Sequence, residues 1–299
     1  MRSTLAIALL ACLNLWSGLC HAAPAPGEAP IRFLLSFDDG PVPAPGVHTR
    51  MIQRSLQDNP VMPGIKAVFF MQTEHPVRGG SEAGSAMMRE TCEAGHVLAV
   101  HSGHVRGHVS HTRMTEDELV RTLDRAKAHI AETCERTATL VRPPNWSYTP
   151  HTLDVYGREG LQMVLTDLSA NDGKIYGWIV SLRRRIHLHH ELELVAEQRA
   201  AGKMPVVDGV IPVVATFHDT NLYTAEHAGE YLQILVEEAR EIGLPLADKP
   251  FYDNAAELTR AASARAELGK WVCDGASRTV SLRERLFGDG SVDSRRDCF

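Results

Sequence analysis

Six short apolar runs recur along the chain, separated by stretches with a slower, helical rhythm. The runs are "IRFLLSF" (31–37), "IKAVFFM" (65–71), "HVLAV" (96–100), "ATLVR" (138–142), "LQMVLT" (161–166) and "VIPVVATF" (210–217). Each is nearly continuous in apolar residues rather than alternating, the pattern of parallel strands covered on both faces. Between them, "TEDE" from Thr115 is a capping box, with Glu118 three residues after the cap. Leu119, Leu123, Ala126 and Ile130 follow at intervals of four, three and four, one face of an amphipathic helix. Ala228, Leu232, Leu235, Ala239 and Ile242 repeat that rhythm after the last strong strand. Strand and helix alternating this often predicts an α/β architecture, either an open doubly wound sheet or a barrel. In both, chemistry gathers where strands end and loops begin.

Ionisable residues sit at those strand ends. Asp38 and Asp39 follow the first run, His101 the third, Asp167 the fifth and His218 the sixth, while Arg142 ends the fourth. Two adjacent carboxylates at a buried strand end are costly unless a cation offsets them. "HSGHVRGHVSH" supplies His101, His104, His108 and His111 within eleven residues. Imidazole and carboxylate suit a borderline metal such as Zn²⁺, and a hydrolytic ion uses about three protein ligands with one position open. Asp39 reads as a ligand; Asp38, paired with Arg142, reads as a base able to take a proton from water. "HLHH" (187–190) follows "RRRI" without a carboxylate at a matched strand end, and reads as a solvated face. "GGSEAGS" (79–85) lacks a phosphate-binding lysine, and the absence of G-x-S-x-G argues against a serine hydrolase.

In their order these elements resemble the polysaccharide deacetylases, the chitooligosaccharide-deacetylase-like family of carbohydrate esterases. "FLLSFDDGP" followed by "IKAVFFM" resembles that family's opening. "GHVLAVHS" (95–102), "VRPPNW" (141–146), "VLTDLSAND" (164–172) and "VATFHD" (214–219) follow its later signatures, over about residues 31–245. The resemblance implies a distorted (β/α) barrel with fewer than eight parallel strands, and metal-dependent deacetylation. It implies Asp38 as general base, Asp39 as metal ligand and Arg142 as the group holding Asp38. His218 would be the general acid, tuned by Asp167 or Asp172. The chain departs from the family at position 105, where valine stands four residues after His101 in place of a histidine. A three-residue insertion, "HVR" or thereabouts, reconciles the spacing and leaves His101 and His108 as ligands, with His104 and His111 as alternatives. Pro143, Asn145, Trp146 and Tyr148 are candidates for a sugar subsite, aromatic faces being suited to pyranose rings; the alternative is a loop packed on the barrel rim.

Composition bounds the remainder. A chain of 299 residues with 44% hydrophobic and 23% charged residues is ordinary globular protein, and a net charge of −6 argues against nucleic acid or an anionic membrane as partner. Arg2, an apolar stretch from Leu5 to about Leu19 and small residues at Ala22 and Ala23 read as a signal peptide over residues 1–23. Asn14 and the shortness of the run argue against a membrane anchor. The expectation is an exported protein, periplasmic or secreted, with no membrane span after cleavage. A barrel would occupy residues 24–250, and 251–299 a helix and a disulfide-pinned tail. Cys92, Cys134, Cys273 and Cys298 would form two disulfides, Cys92–Cys134 and Cys273–Cys298 being the expected pairing. The expected function is removal of acetyl groups from an N-acetylated glycan, peptidoglycan or chitin-like, by a monomer holding one divalent ion, Zn²⁺ by preference. The alternatives are O-acetyl ester cleavage on a glycan and a non-catalytic carbohydrate-binding module on a degenerate barrel.

Overall fold

A computed structural model describes residues 28–43, 47–173 and 180–268. The expected signal peptide and the Cys273–Cys298 pair lie outside these residues. In chain order the elements are β1 (Ile31–Gly40), α1 (His48–Gln57), β2 (Val68–Gln72), α2 (Glu82–Glu93), β3 (Val97–Ser102), α3 (Glu116–Cys134), β4 (Leu140–Val141) and α4 (Pro150–Arg158). There follow β5 (Gln162–Met163), β6 (Leu168–Ser169), α5 (Val180–Ala200), β7 (Ile211–His218), α6 (Leu222–Glu226), α7 (Ala228–Glu241), β8 (Leu246–Phe251) and α8 (Ala255–Leu268). Seven parallel strands form a curled half-barrel in the order β5-β4-β3-β2-β1-β7-β6, and β8 pairs with β1 outside that path. The architecture is the distorted α/β barrel expected. The fourth and fifth apolar runs pair over only two residues each, and β6 and β8 were not foreseen.

Alternation along β1 divides the core. Phe33, Leu35 and Phe37 point outward, beneath the helices, and are buried with Ile52, Leu56, Leu119 and Leu123. Leu34 points into the barrel, where it meets Phe70, Ala99, Leu140, Val164 and Val214. Leu258, Ala261 and Ala262 of α8 pack into the same interior cluster, so the helix beyond residue 250 closes one end of the barrel. The pairing of β1 with β7 then sets three layers, Leu34 beside Val214, Ser36 beside Thr216 and Asp38 beside His218. The interior is apolar at the α8 end, carries hydroxyls at mid-height, and is ionisable at the strand C-termini. That last layer opens on the cavity at the strand ends, where ionisable groups can be solvated or hold a ligand.

The helices are held as their sequences suggest. The Thr115 hydroxyl accepts from the Glu118 backbone N–H and the Glu118 carboxylate accepts from the Thr115 backbone N–H, completing the capping box of α3. The expected Cys92–Cys134 disulfide joins the C-terminal ends of α2 and α3. Ser85, from the glycine-rich "GGSEAGS", bonds His129 of α3 at 2.9 Å, and the other ring nitrogen of His129 lies 2.9 Å from Glu74. That chain ties α2, α3 and the loop after β2 into one block.

Candidate active site

Arg142 organises the mouth from below. It is wholly buried, and its Nη1 donates to Asp38 Oδ1 and to Ser36 Oγ, each at 2.8 Å. Nε and Nη2 donate to the carbonyls of Val164 and Leu165, both at 2.9 Å. The guanidinium also lies over the Phe70 ring at 4.1 Å and the Trp146 ring at 5.0 Å. Asp38, itself only 2% exposed, is therefore held in one orientation by a cation that cannot rotate away.

Neighbouring strand residues normally point to opposite faces, so Asp39 should turn away from Asp38. It does not, because a bulge interrupts the ladder. Asp38 pairs with Phe70 and Gly40 with Met71, leaving Asp39 unpaired at φ 74°. Both acids consequently line one cavity. The next residue is a glycine for a steric reason: a Cβ on Gly40 would lie 2.0 Å from Asp219 Oδ2. Asp219 is buried there, accepts a 2.6 Å bond from the Thr49 hydroxyl, and has its pKa pushed up to about 7 by burial.

Asp39 Oδ1 stands 3.2 Å from His101 Nε2 and 3.4 Å from His108 Nε2. One ligand atom from each of the three residues lies within 4.8 Å of the others. The backbone carbonyl of Arg142 accepts from His101 Nδ1 at 2.9 Å, which leaves the Nε2 lone pair aimed at the carboxylate. That nitrogen is buried and makes no hydrogen bond. Facing the carboxylate, that nitrogen either keeps a proton, since against the pull of burial Asp39 pushes the His101 pKa up, or gives its lone pair to a cation, and the donor set fits a divalent ion with a position left open. Burial alone would raise the pKa of Asp39, but His101, His108 and His218 around it hold it well below the usual carboxylate range. His108 is pulled below the ordinary imidazole value, chiefly by burial, and so offers a neutral nitrogen.

The structure thus brings His101 and His108 to Asp39 and leaves the other two histidines of the run outside. His104 Nδ1 accepts the Arg106 backbone N–H at 3.0 Å within its own turn. His111 is buried 2.7 Å from the Tyr156 hydroxyl, its pKa drawn down to about 3 by burial. Gly107, at φ 69°, lets the loop press onto β2; a Cβ there would meet Gln72 Oε1 at 2.1 Å. Gln72 in turn donates from Nε2 to Asp39 Oδ1 at 2.9 Å.

On the opposite wall, His218 Nδ1 lies 2.7 Å from Asp172 Oδ1. Asp172 is buried, and its Oδ2 accepts from the His218 backbone N–H at 2.8 Å and the Thr224 hydroxyl at 2.7 Å. Asn221 Nδ2 donates to the Asp172 carbonyl at 2.7 Å. Burial would lower the His218 pKa, but Asp172 first, then Asp38 and Asp39, push it up to about 10. Asp167, expected as one of two acids behind His218, is not the one found there. Its carboxylate accepts the Val214 backbone N–H at 2.9 Å and is gripped by Arg265 of α8. It braces the barrel wall against the closing helix, and Asp172, five residues later, serves the histidine.

The cavity over these groups has a volume of about 560 Å³. Pro143, Asn145 and Trp146 line it, the latter two turned inward by successive left-handed backbone angles of φ 58° and 57°. Tyr148 departs from the expectation, being half-buried against the hydrophobic core instead of lining the cavity. The "HLHH" histidines lie on α5, where His187 bonds the Ser169 carbonyl and His189 bonds Glu238 of α7. His189, Glu238 and Glu241 also bring ligand atoms together, but Arg185 already supplies the cation facing Glu238.

Sequence reading missed Gln72, Thr224, Asn221 and Asp219. Gln72 had a usable signal, as the polar residue that follows "IKAVFFM" at a strand C-terminus; Thr224 and Asn221 stand in a helix cap indistinguishable from others.

Residues 28–164 match the polysaccharide deacetylase family model. Compared by sequence with curated proteins, the chain finds no match. Among solved structures it is similar to the chitin deacetylase of Colletotrichum lindemuthianum, at 16% identity and a TM-score of 0.54, over 75% of this chain and 86% of that one. It is also similar to a peptidoglycan deacetylase from Bacillus subtilis, at 19% identity, TM-score 0.51, with 79% and 92% covered. A family 4 acetyl xylan esterase from Clostridium thermocellum, in complex with a cobalt ion, gives 20% identity, TM-score 0.51, with 76% and 90% covered. At these identities the likeness to the solved structures is one of fold. The residues that match the polysaccharide deacetylase model carry Asp38, Asp39, His101, His108 and Arg142, so the likeness takes in the three clustered donors and the buried ion pair beside them.

Proposed function

We propose that the protein is a metal-dependent hydrolase removing acetyl groups from an N-acetylated glycan, with Asp39, His101 and His108 as the ligands of one divalent ion. The carrying observation is the unpartnered His101 Nε2 facing Asp39, with a base on one side and an acid on the other. A bound ion, Zn²⁺ by the chemistry of the donors, would supply Lewis acidity to the acetyl carbonyl and to water. Asp38, fixed by Arg142, takes a proton from the attacking water. His218, held as a cation by Asp172, gives its proton to the departing nitrogen as the carbon–nitrogen bond breaks, and acetate is released. A strongly basic imidazole suits an amine leaving group, which favours amide over ester cleavage. Relatives in fold act on chitin and on peptidoglycan, and the aromatic face of Trp146 gives this cavity a platform for a pyranose ring. The amino-terminal segment supports export to the periplasm or beyond.

Acetate release from a panel of N- and O-acetylated glycans, with and without chelator, tests the reading. Asp38→Asn should keep its metal and lose turnover, whereas Asp39→Asn should lose the metal. Full metal content in Asp39→Asn would sink the ligand assignment.

A further inference from the structure

A second cavity, of about 740 Å³, adjoins the first and shares His108 and Asn145 with it. Arg106 and Arg113 line it, together with the hydroxyl residues Ser110, Thr112 and Ser147, and no acidic residue is in its wall. This is a local reversal in a chain of net charge −6. Both side chains are exposed, and neither guanidinium has a carboxylate within ion-pair distance among the described residues. Thr112 bonds Ser110 at 2.9 Å and Ser147 at 3.1 Å, so hydroxyls link the two walls.

We propose that this trough binds an anionic group, a carboxylate or a phosphate, on a sugar neighbouring the one that is deacetylated. The inference rests on the deacetylase reading above and names the class of its substrate as an acidic glycan. Guanidinium forks recognise both anions in a two-point geometry that an ammonium cannot match. A concave wall of one sign concentrates that field. The hydroxyl row offers partners for sugar hydroxyls between the two ends of the trough. Arg106 belongs to "HVR", the stretch between His101 and His108 that reads from the sequence as an insertion of about three residues. The lengthened ligand loop that departs from the family spacing is therefore also what places a cation beside the site.

The test is equilibrium binding to full-length, zinc-loaded Asp38→Asn, which leaves the ligand intact. The probes are a neutral N-acetylglucosamine oligomer, an oligomer of equal length containing N-acetylmuramic acid, and a phosphorylated N-acetylglucosamine oligomer. At low ionic strength one of the acidic probes should bind roughly tenfold tighter than the neutral one, a preference that shrinks as salt is added. Which of the two it is identifies the anion. Arg106→Gln combined with Arg113→Gln should bring the ratio towards one, and Arg106→Lys should lose only part of it; both side chains are exposed, and circular dichroism checks the fold. Equal binding of neutral and acidic probes overturns the inference, as does a preference that survives loss of both arginines. Failure of folded protein to bind any of the three overturns the deacetylase reading with it.

Discussion

Replacing Asp172 with asparagine removes the negative charge behind His218 while keeping its shape. The two groups are 2.7 Å apart at their nearest atoms. With charge centres about 4 Å apart and an effective dielectric of about 20, the pair is worth about 4 kcal/mol. That is about three powers of ten in the proton affinity of the imidazole. The pKa of His218, held up at about 10, should then fall to about 7, with burial pulling down and Asp38 and Asp39 still pushing up. At pH 8 the native imidazole is almost entirely protonated, but in the variant only about one molecule in ten keeps its proton. The measurement is an NMR titration of the His218 ring in metal-free protein, where no dication offsets the two mouth acids. The high-pH limb of kcat/KM should move down by about three pH units in parallel. Because the folded imidazole binds its proton more tightly than the unfolded one, the pair stabilises the fold fully below about pH 6.5. That contribution is lost as the pH rises towards about 10, and Asp172→Asn should abolish the dependence. A midpoint within one pH unit of the native value would refute the reasoning.

Arg142→Met keeps most of the volume but strands the buried Asp38, and should cost about 3–5 kcal/mol, read as a lower urea midpoint; an unchanged midpoint would mean that Asp38 finds another partner. Gln72→Leu removes the amide that orients Asp39 and should weaken metal binding about tenfold to a hundredfold in chelator competition, with the fold intact. Gly40→Ala drives a methyl into Asp219 and should destabilise by about 1–3 kcal/mol. The double variant with Asp219→Ala should recover part of that loss, and strict additivity would argue that the two residues do not touch.

The parallel strands and most of the candidate catalytic groups are legible in the chain itself, whereas the curl of the sheet into a half-barrel is implied by the family resemblance, the apolar pattern allowing an open sheet equally. A strand buried on both faces must be apolar along its length, so "IRFLLSF" and "VIPVVATF" declare themselves, and the ionisable residue that ends each declares the mouth. Asp38, His101, Arg142 and His218 are readable because burial leaves a polar group no other place on such a strand. What the chain does not declare depends on contacts between distant segments. The two-residue pairings of β4 and β5 have too little periodicity to show their limits. The choice of Asp172 over Asp167 turns on Arg265, some hundred residues away, which claims the nearer acid for the barrel wall. Asp39 faces the mouth only because a bulge against β2 cancels the alternation that would have turned it outward. His108 joins it only because Gly107 folds the loop after β3 onto Gln72. Residue type and spacing record which groups the chemistry needs, but direction in space is set by backbone irregularities and packing partners that no local pattern encodes.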